Sequence, residues 1–192
     1  MAKISFALAA FVATVPLMGC TTMDGGAATA SAGYPMVGGA EMRPTMNIVQ
    51  NAANSADHTT LVAAVTAAGL ADTLSGPGPF TVFAPTNAAF GRLPAGTVET
   101  LLQPANRPTL QAVLTYHVVP GRITAADLMQ RIRAGGGSAR LTTVQGGTLT
   151  ARMMGGQVTL VDAKGGMAHV TQADVMQSNG VIHVTDAVSI PG

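Results

Sequence analysis

The chain has 192 residues, 47% of them hydrophobic and only 10% charged, with a formal net charge of +1. That supplies a core for one domain with a leader and a tail, excludes wholesale disorder, and lacks the basic stripe that nucleic-acid binding requires. Trp is absent and aromatic residues make up 4%, so Leu, Val, Ile, Ala and Met must fill the interior.

Residues 1–19 read as a secretory leader: Lys3 gives the positive start, and Ile4–Val15 is an uncharged apolar run too short to span a bilayer. The run ends in Leu17-Met18-Gly19-Cys20, which resembles the bacterial lipoprotein box. That resemblance implies a diacylglyceryl group on the Cys20 thiol, cleavage before it, and acylation of the new amine by a fatty acid such as palmitate. Two or three acyl chains, at about 0.8 kcal/mol per buried CH₂, suffice for stable anchoring. Thr21 rather than Asp follows the cysteine, which by resemblance to enterobacterial sorting points to the outer membrane. Without lipidation the same chain would be periplasmic or secreted. Cys20 is the only cysteine, so no intramolecular disulfide can form. Residues 20–43, rich in Gly, Ala, Ser and Thr, read as a flexible tether.

The folded domain is expected over residues 44–191. Pro44-Thr45 offers a helix start ahead of Ile48 and Val49. Residues 57–60 supply caps, including His58, for a helix carrying Leu61, Val62 and Val65, and Gly69 ends it. Leu70 and Leu74 extend an apolar face to the Gly76–Pro79 break. Phe80–Ala84 alternates as a strand, Pro85 stops it, and Thr86 caps a short helix through Phe90. Val98, Leu101 and Leu102 suggest another helical turn. Asn106 is expected to cap a helix carrying Leu110, Val113 and Leu114, and Thr124 one carrying Leu128 and Ile132. His117–Val119 is extended between them.

After Gly135-Gly136-Gly137 the pattern changes. Residues 139–144, 148–153, 157–161, 168–171 and 181–188 read as short strands, the first four separated by Gly pairs that suit hairpin turns. Helices first and strands later argue an α+β class, with the early strand near Phe80 joining a sheet built mostly from later residues.

Three ordered motifs carry a family resemblance. TVFAPTNAAF spans Thr81–Phe90, the Tyr116-His117 pair stands centrally, and NGVIHVTD spans Asn179–Asp186. Together they closely resemble the fasciclin family. The resemblance implies one fasciclin-like domain, with strands in a wedge and helices packed around it. It singles out Thr86, Asn87, Phe90, Tyr116, His117, Asn179, Gly180, His183 and Asp186, which also make sense as caps, turns and core. In animal relatives an Asp followed by an apolar residue just before the last motif has been linked to integrin contact. Asp174 and Val175 match that pair, with an Asp-mediated turn or cap as the alternative.

Reaction chemistry has little support in the residues. None of the four histidines, His58, His117, His169 and His183, lies in a metal-binding spacing. No Gly-x-Ser-x-Gly elbow exists, and in a strand the odd separation of His183 from Asp186 puts them on opposite faces. Asp162 and Asp174 are not brought together by spacing alone. No catalytic residue, metal or cofactor is expected. Arg131 and Arg133, the densest basic spot, read as a solvated helix face. The function expected is a non-enzymatic, lipid-anchored adhesion or matrix-binding module at the cell surface. Its partner would be a protein or polysaccharide, with homotypic association open and nucleic acid excluded. The alternative is a periplasmic envelope protein binding polysaccharide, lipid or another envelope component.

Overall fold

The computed structural model describes residues 33–192. The leader, the lipoprotein box with Cys20 and the first part of the expected tether lie outside the described residues.

The last part of that tether is folded. Strands β1 (Met36–Val37) and β2 (Ala40–Glu41) form a hairpin around Gly38-Gly39, both at positive φ. Val37 and Met42 are buried in the core, so ordered structure begins before Pro44. The Gly and Ala that suggested a tether here serve a tight turn. Asn51 fixes the following segment: its side chain, fully buried, accepts from Arg43 N and donates to Arg43 O and to Gln177.

Among the described residues, seven α-helices precede most of the sheet. Helix α1 (Ile48–Asn54) starts at an Asn47/Gln50 capping box rather than at Pro44-Thr45. Helix α2 (Thr59–Ala68) ends on Gly69 in the left-handed region, as its sequence suggested. Helix α3 (Ala71–Ser75) follows, then strand β3 (Phe80–Pro85). Thr86 caps α4 (Asn87–Gly91) by accepting from Ala89 N. Helix α5 (Thr97–Leu102) contributes only partly buried side chains. Asn106 precedes α6 (Arg107–Tyr116) but its side chain turns back to donate to Thr100 O instead of capping. Strand β4 (Val118–Pro120) leads to α7 (Ala125–Ala134), which opens with a Thr124/Asp127 capping box.

The second half is antiparallel: β5 (Ser138–Thr142), β6 (Thr148–Met154), β7 (Gln157–Val161), β8 (Met167–Gln177) and β9 (Gly180–Thr185). The seven-stranded sheet runs β4-β3-β9-β8-β7-β6-β5. The early strand β3 lies between β4 and β9, antiparallel to the first and parallel to the second. The sheet bends until its ends meet: Val144 N, just past β5, donates to Val118 O of β4 at 2.8 Å. Strand β8 is longer than its alternating stretch because register shifts between Val170 and Val175 break the period of two. Strand β9 ends before Asp186, short of the expected Val188.

Two cores lie on opposite faces of β3 and β9. Val82, Ala84, Ile182 and Val184 face α1, α2 and α6. Phe83 faces the other way, into a cluster with Tyr116, Leu128, Ile132, Leu141, Leu149 and Leu160. Buried on both sides, β3 must satisfy every polar group inside. Thr81 does so by donating to Gly121 O at 2.7 Å and accepting from Ile123 N at 2.9 Å. Tyr116 lies fully buried within the bend. Its hydroxyl donates to Thr148 O at 2.7 Å and accepts from Ala163 N at 3.2 Å. A Cβ on Gly147 would stand 2.8 Å from this ring, so the turn before β6 has room for glycine alone.

Replacing Tyr116 by Phe keeps the ring and strands two main-chain groups. The expected loss is about 1–3 kcal/mol in urea unfolding. An unchanged midpoint would show that water replaces the hydroxyl.

Candidate functional site

The motif residues converge on the main chain, not on a cleft. Asn87 Oδ1 accepts from Thr60 N at 3.0 Å, and Nδ2 donates to Ala56 O at 2.8 Å, tying α4 to the start of α2. Phe90 is buried in the helical core. Asn179 is a three-way clamp: Oδ1 accepts from Ile48 N at 3.1 Å, while Nδ2 donates to Leu74 O at 2.7 Å and Gly76 O at 2.9 Å. Its own carbonyl accepts from Phe80 N. A Cβ on the next residue, Gly180, would run into the Phe80 carbonyl oxygen, which explains a glycine beside the clamp.

Two buried histidines do similar work in opposite tautomers. His117 Nδ1 donates to Val113 O at 2.8 Å, and Nε2 accepts from Ser189 N at 2.9 Å. His183 Nε2 donates to Ile123 O at 2.9 Å, and Nδ1 accepts from Asp174 N at 3.3 Å. The His183 ring also stacks on Phe83, with centroids 5.5 Å apart. Each ring needs one N–H and one bare nitrogen, so each is neutral. Burial lowers both pKa values, although the accepting carbonyls push them upward. The two rings share no partner. His58 is also buried and lowered by desolvation, with Nδ1 2.9 Å from Ser55 Oγ.

Asp186 closes the last motif. Oδ1 accepts from His169 N at 2.7 Å, and Oδ2 lies 3.1 Å from Arg92 Nη1. Burial opposes its ionisation, but the His169 N–H and the Arg92 guanidinium outweigh that and hold its pKa down. With both His183 nitrogens engaged elsewhere, Ser178, His183 and Asp186 form no relay. Asp162 accepts from Lys164, Gly166 and Ile190 N–H groups in the turn after β7, while Asp174 stands at the start of α7, so those carboxylates have separate duties. Among the described residues, no group of three or more His, Cys, Asp or Glu is placed to hold a metal.

The Asp174-Val175 pair has an architectural place. Asp174 is the one described non-glycine residue at positive φ, +57°, inside the irregular part of β8. Its Oδ1 accepts from Ala125 N at 2.7 Å, capping α7 from across the sheet. Val175 is fully buried, which puts its side chain out of a partner's reach. The turn-or-cap alternative describes Asp174 correctly, and the apolar half of the expected contact does not reach the surface. The sequence reading did not find Asn51 and Thr81 as buried connectors. Only a polar residue inside an apolar stretch marks them.

Asn179→Ala removes three hydrogen bonds at once, and a loss of about 3 kcal/mol in unfolding free energy is expected. A midpoint within error of the parent would refute the clamp. The histidines give a separate test. Their folded pKa values lie below the ordinary 6.5. The unfolded chain therefore takes up protons first as pH falls. Stability is full above about pH 6.5 and declines below it, by up to roughly 1.4 kcal/mol per pH unit per histidine. Urea midpoints should be level from pH 8 to 7 and fall between pH 6.5 and 5. A level profile down to pH 5 would contradict the neutral assignment.

A sequence model of the Fasciclin domain matches residues 56–191. The chain is 47% identical over 173 residues to "Protein sll1483" of Synechocystis, covering 83% of this chain and 89% of that protein. It is 34% identical over 122 residues to the "Cell surface glycolipoprotein MPB83" of Mycobacterium bovis, covering 64% of this chain and 48% of the other. Its fold matches the solved FAS1 domain pair of the insect cell adhesion molecule fasciclin I with a TM-score of 0.67 at 18% identity, over 76% of this chain and 51% of that one. The order of strands and helices, the three motifs and these likenesses agree, and the chain belongs to the fasciclin domain family.

Proposed function

We propose that this protein is a non-enzymatic binding module held at the bacterial cell surface by lipid on Cys20. The observation that carries the reading is the commitment of the motif side chains. Asn87, Tyr116, His117, Asn179, His183 and Asp186 all spend their polar atoms on groups of the same domain, mostly main chain, with Asp186 Oδ2 on the Arg92 guanidinium and Asn87 Nδ2 also on the Thr59 hydroxyl. A nucleophile–base–orienter set needs side chains directed at a substrate, and none of these is so directed. What remains for function is the outer surface, as in a recognition module. The fold likeness to a cell adhesion molecule and the sequence likeness to a cell surface glycolipoprotein support the same reading.

The leader and the lipoprotein-like box ending in Cys20 support the anchor. No described helix is long and apolar enough to cross a membrane. A leader through Gly19, lipid on Cys20 and a short tether would place the folded body, with the hairpin near Met36 as its first element, away from the bilayer. The partner is a protein or polysaccharide of the surface or envelope.

Protease shaving of intact cells tests the placement, with the Cys20→Ser chain in parallel. The parent should sit in the membrane fraction with an acyl mass increment and be lost on shaving, and Cys20→Ser should become soluble. An unacylated parent mass would remove the anchor. Protection in intact cells, with cleavage only after the outer membrane is opened, would move the protein to the periplasm.

A further inference from the structure

The charge of this chain is unevenly placed. From Leu128 to Val161 there are four arginines, Arg131, Arg133, Arg140 and Arg152, and no acidic residue, whereas the rest holds six basic and nine acidic residues. The sequence presents the first two as an ordinary solvated helix face. The fold adds the other two. Strands β5 and β6 pair Ser138 with Arg152 and Arg140 with Thr150. Ala139, Leu141, Leu149 and Ala151 are buried, so the alternate residues share the outer face. Arg140 and Arg152 are diagonal neighbours there, roughly 7–8 Å apart at their base. Arg131, in the last turn of α7, lines an open surface cleft together with Gly135, Ser138 and Arg140.

These arginines differ from the others in the described structure. Arg43 and Arg92 pair with Glu41 and Asp186, and Arg107 and Arg122 donate to the Ala68 and Gln177 carbonyls. The side chains of Arg131, Arg133, Arg140 and Arg152 are exposed and meet no hydrogen-bond or ion-pair partner among the described residues. Arg131, Arg140 and Arg152 face a single acidic neighbour, Asp127 one turn before Arg131, so they carry surplus positive charge, and an anionic partner relieves their mutual repulsion.

We infer that the outer face of β5 and β6, with the end of α7, binds an acidic polysaccharide through Arg131, Arg140 and Arg152. The planar guanidinium fork suits a carboxylate or sulfate group, which takes two parallel hydrogen bonds from it. On the same extended outer face stand the hydroxyls of Ser138 and Thr150 beside the arginines and of Thr142 and Thr148 one step beyond Arg140. Hydroxyls there match the sugar hydroxyls between acidic groups. A lipid surface is a poorer fit. The exposed Met154 and Met167 lie at opposite ends of β7, next to Gln157 and Val161, and make no continuous apolar patch to enter a bilayer.

This inference rests on the reading of the protein as a binding module. The test uses the full chain in mild detergent, with immobilised heparin and soluble polygalacturonate as probes and neutral dextran as the blank. Binding should be clear at low salt, fall steeply as salt rises, and be absent on dextran. The triple variant Arg131→Glu, Arg140→Glu, Arg152→Glu should lose at least ~10-fold in affinity with its urea midpoint only slightly lowered, because among the three only Arg131 has an acidic neighbour, Asp127 one turn earlier on α7. Lys164→Glu, outside the patch, should bind as the parent does. Absence of binding at low salt, or a triple variant equal to the parent, overturns the inference. So does stronger binding to phosphatidylglycerol vesicles, which would assign the face to a membrane, or equal binding to duplex DNA, which would reduce it to undirected charge. A chain that binds polysaccharide yet resists shaving of intact cells refutes the surface placement and leaves this inference standing; a shaved chain indifferent to both probes does the reverse.

Discussion

The structure depends on one pair of strands, β3 and β9, buried on both faces and joined in parallel. They stand about a hundred residues apart in sequence; β3 supplies side chains to both cores, and β9 supplies Ile182 and Val184 to the first and His183, stacked on Phe83, to the edge of the second. Strands covered on both sides cannot leave a polar group to water. Thr81 and His183 lie inside this pair, and Asn179 lies at its end. Each unpaired group there would cost about 1–3 kcal/mol, so their partners are a condition of the fold. Those partners are carbonyls and N–H groups of the Gly121–Ile123 loop, the end of α3, the start of α1 and the irregular part of β8. The central strands therefore also fix the surrounding loops.

The two histidines show how specific that fixing is. His117 and His183 perform the same task with opposite ring nitrogens as donors, because the carbonyl and the N–H approach from opposite sides. Glutamine or asparagine could present a donor and an acceptor, but not across a rigid ring that also stacks on Phe83. Asp174 extends the network by one step. Its N–H goes to His183 and its carboxylate to α7, and its left-handed backbone makes both reachable. A residue that looks from sequence like an exposed contact is thereby tied to the second core.

Much of this was legible in the chain, for local reasons. Thr86, Thr124 and Gly69 mark helix ends because caps act within one turn, and the Gly pairs mark hairpins because the turns need positive φ. The class, the place of the early strand and the strands after Gly137 follow from periodicity. What was illegible depends on distant partners. The β1–β2 hairpin looks like tether because its few apolar residues gain meaning only against α1 and α2. The length of β8 is hidden by its irregular register, and Asn106 does not cap because Thr100 O competes for its side chain. The buried side of Val175 and the gathering of Arg140 with Arg131 follow from strand register and helix placement, which no local pattern encodes.

Stability and recognition are consequently separated in space. Every motif side chain that could do chemistry is engaged within the domain: His183 and Asn179 at the β3–β9 pair, Tyr116 and His117 in the bend of the sheet and beside it, and Asn87 between α4 and α2. The outer face of β5 and β6 is the reverse case. Its inner residues, Ala139, Leu141, Leu149 and Ala151, hold the strands in place, while Ser138, Arg140, Thr142, Thr148, Thr150 and Arg152 can change with little cost to packing. A domain built this way can keep one fold while its surface chemistry varies from protein to protein. Three gathered arginines, Arg131, Arg140 and Arg152, with Asp127 as their acidic neighbour, stand out for that reason on a chain in which charged residues are scarce: no hydrogen bond of the fold uses their side chains, and their mutual repulsion works slightly against folding.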